Sequence, residues 1–431
     1  MEADTIFAVA YGAGRAAIAV MRLSGPATRA ALAGLCRRVP PPRRASLRRL
    51  RDAAGVDLDH AMVLWLPGPG SYTGEDSAEL HLHGGRAVTE GVAEALVALG
   101  ARPAEPGEFT RRAFLNGRMD LTEAEAVHDL VSAETTAQRR QALRQLDGAL
   151  GTIYRGWADR LRVLLAQQEA LIDFPDEDLP PEVEAAVVAE LDALSREVTT
   201  HLDDNRRGER LREGLVFAIS GAPNVGKSSL ANALAERDVA IVSAQPGTTR
   251  DALETRVVLG GVPVTLVDTA GLRETEDAIE AEGVRRALAR ATDADVVVAV
   301  TEAGQEAASI DADDKPRVLV ANKVDLGGLV PTDAIGVSAL TGQGIDALRS
   351  RLAEEARALT ESAGPPPLTR ARHRAALQEA AARLAGAAVA DLPELRAEDL
   401  RLALRALGRI TGNVGVEDIL DTLFAQFCIG K

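Results

Sequence analysis

Eight residues constrain this chain more than any others: Gly221-Ala222-Pro223-Asn224-Val225-Gly226-Lys227-Ser228. They follow an apolar run, Leu215–Ile219, and precede a helical pattern over Ser229–Ala235. In that setting the pattern G-x-x-x-x-G-K-[ST] is a phosphate-binding loop. Its glycines let backbone N–H groups wrap phosphate oxygens, and the helix start adds a favourable dipole. Lys227 is placed to reach the β and γ phosphates, and Ser228 to hold Mg2+.

The residues around the loop extend the reading. Apolar strands at Leu215–Ile219, Val262–Val267, Val296–Val300 and Arg317–Ala321 alternate with helical segments, the pattern of a parallel sheet. Asp268-Thr269-Ala270-Gly271 ends the second of these strands, where an Asp joins the Mg2+ shell and Gly271 senses the γ phosphate. Asn322-Lys323-Val324-Asp325 ends the fourth. Guanine presents two adjacent donors on one edge and adenine does not, so the Asp325 carboxylate selects guanine. Ser338-Ala339-Leu340 lies where a further loop closes over the base. In Gly247-Thr248-Thr249-Arg250-Asp251, Thr249 is the residue expected to complete Mg2+ coordination when the γ phosphate is present. Motifs in this order imply a GTP-binding domain.

Catalysis in such a domain needs a group that orients water. Small signalling GTPases use a glutamine soon after D-x-x-G. Here Leu272 follows Gly271, no glutamine precedes Glu280, and Arg273–Glu282 is acidic instead. Most of these acids read as solvated switch-loop charges, and one is free to orient the attacking water.

Outside this block the pattern changes. Residues 1–118 read as mixed α/β, with strands such as Ala17–Leu23 and Ala61–Leu66 and a helix over Ala87–Leu99. Asp120 with Glu123 marks a capping box. Helix then runs to about Phe174 and resumes over Glu182–Glu213. After Pro365-Pro366-Pro367, Leu400, Leu404 and Leu407 share a helix face. Helical segments on both sides imply that the α/β block, residues 214–365, is inserted into a helical domain built from 119–213 and 366–431. The fold class is thus α/β plus all-α: an N-terminal α+β domain, a helical domain, and an inserted phosphate-loop domain with a mostly parallel sheet.

Composition removes other classes. The net charge of −15 argues against nucleic-acid binding through a general basic surface, and 3% aromatics are too few for a base-stacking platform. Cys36 and Cys428 alone allow neither a disulfide framework nor a Cys-rich zinc site. No apolar run suffices for a membrane span, and Met1-Glu2-Ala3-Asp4 lacks the basic start of a secretory signal, so a cytoplasmic protein is expected. Only four of 49 basic residues are lysine, and Lys227, Lys323 and Lys431 stand inside motifs.

Further motifs lie outside the nucleotide block: Val20-Met21-Arg22-Leu23-Ser24-Gly25-Pro26, Glu79-Leu80-His81-Leu82-His83-Gly84-Gly85, Pro106–Gly117 and the ending Phe427-Cys428-Ile429-Gly430-Lys431. With these the chain resembles, along its whole length, the MnmE (TrmE) family of bacterial tRNA-modification GTPases. The resemblance implies that residues 1–118 bind a tetrahydrofolate and dimerise. It implies a FAD-containing partner, MnmG, in a heterotetramer that acts on the wobble uridine (position 34) of certain tRNAs. An aminomethyl or carboxymethylaminomethyl group is then added at C5, using a one-carbon unit from 5-formyl- or methylene-tetrahydrofolate. It also implies GTPase domains that dimerise across K+ in place of an arginine finger.

By motif position, Asn224, Ser243, Gln245 and Thr248 would hold K+, Ser228 and Thr249 Mg2+, Glu280 would orient water, and Arg273 matches a switch arginine. The nucleotide contacts implied are Asn224, Val225, Gly226, Lys227, Ser228 and Ser229; Ser243, Ala244, Gln245, Pro246, Gly247, Thr248 and Thr249; Asp268, Thr269, Ala270 and Gly271; Asn322, Lys323 and Asp325; and Ser338, Ala339 and Leu340. Arg22, Glu79, Arg118 and Lys431 match the folate positions. A rival reading is a GTP-dependent assembly switch without modification chemistry.

Some signals carry less. Gly12-Ala13-Gly14-Arg15 imitates a dinucleotide fingerprint without its third glycine and reads as a tight turn. Arg37–Arg51 carries seven arginines around Pro40-Pro41-Pro42 and reads as a solvated loop, with contact to tRNA phosphates as the alternative. His81 and His83 alternate on a strand without the further ligands a zinc site needs. Cys428 is either a reactive thiol or a buried one.

Overall fold

A computed structural model describes residues 4–10, 16–173, 181–236, 254–268, 292–305, 315–361, 364–415, 417–427 and 430. By packing, the chain divides into two units: Met1–His128 with Gly151–Ala158 and Leu407–Lys431, and Asp129–Leu150 with Asp159–Ala406. No helix among the described residues is long and apolar enough to cross a membrane.

The first unit is built on one six-stranded sheet. Its strands are β1 (Thr5–Val9), β2 (Ile18–Ser24), β3 (Ser46–Arg51), β4 (Asp57–Leu66), β5 (Ser77–His83) and β6 (Ala101–Pro103), in the order β3-β4-β5-β2-β1-β6. All neighbours are antiparallel except β1 and β6. Alternation along the strands puts Met21, Leu23, Leu80 and Leu82 on one face. There α1 (Thr28–Cys36) and α2 (Arg86–Ala98) bury them with Leu32, Leu35, Val92 and Leu96. The half-buried residues of the same strands, Arg22, Glu79 and His81 among them, therefore belong to the opposite face.

Two helices follow. Phe109 of α3 (Glu108–Leu115) packs with Ile6 and Ala8 of β1. The capping box at Asp120 forms as its spacing implies: Glu123 N donates to Asp120 Oδ1 at 3.0 Å, and Asp120 N donates to Glu123 Oε2 at 2.7 Å. It starts α4 (Leu121–Ser132), whose Leu121 and Ala124 pack with Leu423 and Phe424 of the C-terminal helix Glu417–Phe424.

The second unit opens with α5 (Thr136–Leu146), α6 (Ala149–Asp173), α7 (Pro181–Leu202) and α8 (Arg207–Glu213). Six strands then form its sheet: β7 (Leu215–Ser220), β8 (Glu254–Leu259), β9 (Val262–Asp268), β10 (Val296–Glu302), β11 (Arg317–Asn322) and β12 (Ala334–Gly336). Their order is β12-β11-β10-β7-β9-β8, parallel throughout except for β8 against β9. Near-continuous apolar runs such as Leu215–Ile219 suit strands covered on both faces. They pack with Leu230 of α9 (Lys227–Glu236) and Leu348 and Leu352 of α10 (Ile345–Thr360). Helices α11 (Ala371–Val389) and α12 (Pro393–Thr411) complete the helical part.

Two expectations change. Part of the arginine-rich stretch read as a loop is a strand, because Ser46–Arg51 pairs with β4 and buries Leu50 completely. Glu254–Leu259 is a strand no reading assigned, since its polar first half, Glu254-Thr255-Arg256, hides the pattern. Residues 11–15, read as a tight turn, lie outside the described residues.

The helical segments on either side of the α/β block are tied by one arginine. Arg374 of α11 donates from Nη2 to Asp204 Oδ1 at 2.6 Å, from Nε to Glu209 Oε1 at 3.1 Å, and from Nη1 to the Leu202 carbonyl at 2.9 Å. Asp204 Oδ2 accepts the Leu368 N–H at 3.0 Å, and Glu209, with its side chain 2% exposed, also takes Arg206 Nε at 2.8 Å. Residues before and after the block are thereby joined at its base. Without Arg374 the largely buried Asp204 carboxylate loses its cation while Glu209 keeps Arg206, so Arg374→Met should destabilise the second unit by about 3 kcal/mol. Urea unfolding checks this, and a loss below about 1 kcal/mol, the level of a surface pair, would contradict it.

Candidate functional site

The phosphate loop stands between β7 and α9, as its sequence context demands. Lys227 is buried, and its Nζ donates to the carbonyls of Gly221 at 2.9 Å and Ala222 at 2.7 Å, which curls the loop around the ammonium. Two glycines permit close approach. A Cβ at Gly221, where φ is +149°, would overlap the Val300 carbonyl, and one at Gly226, at +94°, would overlap Asn322 Nδ2. Asn224 is exposed on the loop, where it adopts a left-handed φ of 65°, and Ser228 and Ser229 are exposed at the start of α9. Val225 is buried beneath it.

Ser228 Oγ donates to Oδ2 of Asp268 at the end of β9. A hydroxyl and a carboxylate held together are the hard oxygen donors that suit Mg2+, so the residues present fit that ion. Asp268 is largely buried.

At the base side, Asn322 does more than its motif position announces. The residue is 2% exposed. Its Nδ2 donates to the Val225 carbonyl at 2.8 Å, and its Oδ1 accepts the Ala339 N–H at 3.1 Å. One amide thus joins three motifs, which the sequence separates by about a hundred residues. Lys323 holds a left-handed φ of 64° and its Nζ lies 3.1 Å from Glu302 Oε2. Asp325 is exposed in the 3-10 turn Val324–Leu326. Ser338 is buried and its Oγ accepts the Thr341 N–H, which leaves Leu340 exposed on the loop. Ser243, Ala244, Gln245, Pro246, Gly247, Thr248, Thr249, Thr269, Ala270, Gly271, Arg273 and Glu280 lie outside the described residues.

The first unit has a pocket of its own, about 180 Å3, lined by Arg22, Leu66, Tyr72, Thr73, Ser77, Ala78, Glu79 and Val127. Arg22 and Glu79 are register partners on β2 and β5, and Arg22 donates to Glu79 Oε1 from Nη2 at 3.0 Å and from Nε at 3.2 Å. Its guanidinium carbon lies 5.7 Å from the Tyr72 ring centre and 5.9 Å from that of Phe109. Burial pushes the Tyr72 hydroxyl pKa up, against its hydrogen bond with Thr110 and the charge of Arg22. A carboxylate beside a guanidinium and an aromatic face fits a flat heterocycle with adjacent N–H donors, such as a pterin.

The loop carrying Tyr72 and Thr73 is fixed from below. Ser24 Oγ lies 2.6 Å from Thr73 Oγ1 and donates to Glu75 Oε2 at 2.7 Å. Asn116 Nδ2 donates to the Thr73 carbonyl at 2.7 Å, and Arg112 donates to both Glu75 and Glu108. The aliphatic stem of Arg118 lies against Gly74, next to this loop. Gly430 abuts the Val9 carbonyl of β1, while Cys428 and Lys431 lie outside the described residues. His83 Nδ1 is 2.7 Å from Asp59 Oδ1, and His81 Nε2 is 3.5 Å from Glu79 Oε2. Sequence reasoning passed over Tyr72, Thr73 and Glu75, although Ser71-Tyr72-Thr73-Gly74-Glu75 is a dense polar run between two strands.

A family model described as the MnmE helical domain matches residues 121–428, and one described as the GTP-binding protein TrmE N-terminus matches residues 5–118. A tRNA modification GTPase MnmE of Gluconacetobacter diazotrophicus is 67% identical, covering 100% of this chain and 99% of that protein. The proteins of the same name from Granulibacter bethesdensis and Rhodospirillum rubrum are 59% and 56% identical, each with 100% of both chains covered. This chain belongs to the MnmE family of tRNA modification GTPases.

Proposed function

We propose that this chain hydrolyses GTP and that the hydrolysis cycle serves modification of tRNA. The observation that carries the reading is the Asn322 amide, which binds the phosphate loop, the guanine motif and the Ser338 loop into one site. The names of its relatives support the second half. In this reading residues 214–365 form the GTPase domain, inserted into a helical domain of residues 119–213 and 366–431. Lys227 holds the β and γ phosphates, Ser228 and Thr249 hold Mg2+ with Asp268 beside them, and Asp325 accepts from the guanine edge. Asn224, Ser243, Gln245 and Thr248 would hold K+, which would supply positive charge to the transition state as GTPase domains dimerise. Glu280 orients the attacking water, and Arg273 acts in the same switch.

The finer reading extends to the first domain, residues 1–118, as a tetrahydrofolate-binding and dimerising domain. Arg22, Glu79, Arg118 and Lys431 hold 5-formyl- or methylene-tetrahydrofolate, the source of the one-carbon unit. The chain then works in the cytoplasm as a homodimer with the FAD-containing MnmG in a heterotetramer. Together they add an aminomethyl or carboxymethylaminomethyl group at C5 of the wobble uridine of certain tRNAs. The Arg22–Glu79 pair at 3.0 Å in its pocket supports the folate site.

Two measurements test these steps. Steady-state GTP hydrolysis should be at least about tenfold faster in K+ than in Na+ at equal ionic strength, a gain of about 1.4 kcal/mol, and Asn224→Ala should lose the difference. Equal rates in both salts would remove K+ from the mechanism. Titration with 5-formyl-tetrahydrofolate should saturate, and Glu79→Ala should weaken binding at least about thirtyfold, since it leaves pterin donors unpaired. A wild-type chain that ignores folates would favour a GTP-dependent assembly switch without modification chemistry.

A further inference from the structure

We propose that the arginine-bearing edge of the first unit's sheet is a contact surface for the phosphate backbone of tRNA. The inference rests on the tRNA reading above and adds a surface that none of the residues assigned there occupies.

The stretch from Arg37 to Arg51 holds seven arginines in a chain of net charge −15. The structure shows how they are presented. The chain leaves α1 at Arg37 in a left-handed turn, with φ of 57°, and bends again at Arg43, with φ of 56°. Between these turns the prolines run to the sheet, where Pro42 bridges to Trp65 and Arg43 N donates to the Trp65 carbonyl at 2.7 Å. Strand β3 follows at the end of the sheet, paired among the described residues with β4 alone. Arg48 returns toward the end of α1, close enough for its charge to oppose the burial that pushes the Cys36 thiol up to about 11. The arginines before the strand and on it therefore share one edge.

Charge accounting separates them into two sets. Arg49 and Arg51 share a single carboxylate, Asp57, at 3.4 and 2.6 Å. Arg37, Arg38, Arg43, Arg44 and Arg48 have no carboxylate partner among the described residues. The other acids of this hairpin point their carboxylates elsewhere, Asp59 to the His83 ring and backbone N–H and Asp52 to the Val56 N–H, but both keep their charge. Seven arginines against the three carboxylates of Asp52, Asp57 and Asp59 leave residues 37–59 net positive on an otherwise acidic protein. That charge complements a polyanion.

Two simpler roles fit less well. Charges that guard an edge strand against pairing belong on the strand, whereas Arg37, Arg38, Arg43 and Arg44 precede it. A membrane-surface site would offer an amphipathic helix with a free apolar side, but α1 buries Leu32 and Leu35 in the core. Planar guanidiniums match phosphate oxygens two at a time, which suits a nucleic-acid backbone.

The test is tRNA binding by the full chain across a salt series of about 50–200 mM, read by fluorescence anisotropy. Arg37, Arg38 and Arg44 are all exposed, so the triple variant Arg37→Ser, Arg38→Ser, Arg44→Ser should fold and keep the wild-type GTP hydrolysis rate. It should bind tRNA at least tenfold more weakly, and the slope of log affinity against log salt should fall by about two to three. The matching triple lysine variant should keep the slope. Wild-type affinity and slope in the serine variant would overturn the surface and leave the tRNA reading standing. A wild-type chain that binds no tRNA at any salt would overturn both. Binding to anionic phospholipid vesicles that the serine variant loses, with tRNA binding intact, would assign the edge to lipid and overturn the proposal.

Discussion

One buried amide orders the nucleotide site. Asn322 gives both ends of its side chain to backbone, with Nδ2 on the Val225 carbonyl and Oδ1 on the Ala339 N–H. Buried polar groups must find partners, so a side chain that satisfies itself only across three loops holds those loops in one relative position. Gly226 completes the constraint, because any Cβ there would collide with the same amide. The phosphate half and the base half of the site are thus set by a single contact. Preorganisation of this kind spares nucleotide binding the cost of ordering these loops.

The helical part relies on a related device. Arg374 gathers Leu202, Asp204 and Glu209, so residues on both sides of the α/β block converge at its base. This network draws the segments before and after residues 214–365 together. The first unit uses the same device on a smaller scale. Arg112 holds Glu75 and Glu108 while Ser24 and Asn116 hold the Thr73 loop, and the Arg22–Glu79 pair is left facing a pocket. In all three places a buried or half-buried polar group fixes irregular backbone, which hydrophobic packing alone cannot orient.

What the sequence made legible follows from range. The strands β7, β9, β10 and β11 show as apolar runs, and the observed limits lie within two residues of those runs. The Asp120–Glu123 cap and the phosphate loop are short motifs whose chemistry is complete within a few residues. By contrast, Arg374 and Glu209 stand 165 positions apart, and nothing periodic marks such a pair. The double role of Asn322 was hidden for the same reason, although its motif was plain. Edge strands were missed or misread because one side of each meets solvent: β8 begins Glu-Thr-Arg, and β3 carries three arginines around a single buried Leu50. Arg22 and Glu79 emerged only through family resemblance, since an isolated Arg and Glu 57 residues apart carry no local signal.

The central claim is that residues 322–325 read guanine through the Asp325 carboxylate. Its most direct measurement is nucleotide preference in Asp325→Asn. An amide offers a donor where the carboxylate only accepts, and xanthine carries an oxygen where guanine carries its exocyclic amino group. The substitution should lower hydrolysis of GTP and raise that of xanthosine triphosphate, with the ratio moving by at least about 100-fold. An unchanged preference for GTP over xanthosine triphosphate would show that Asp325 does not contact the base, and the account of this site would fail.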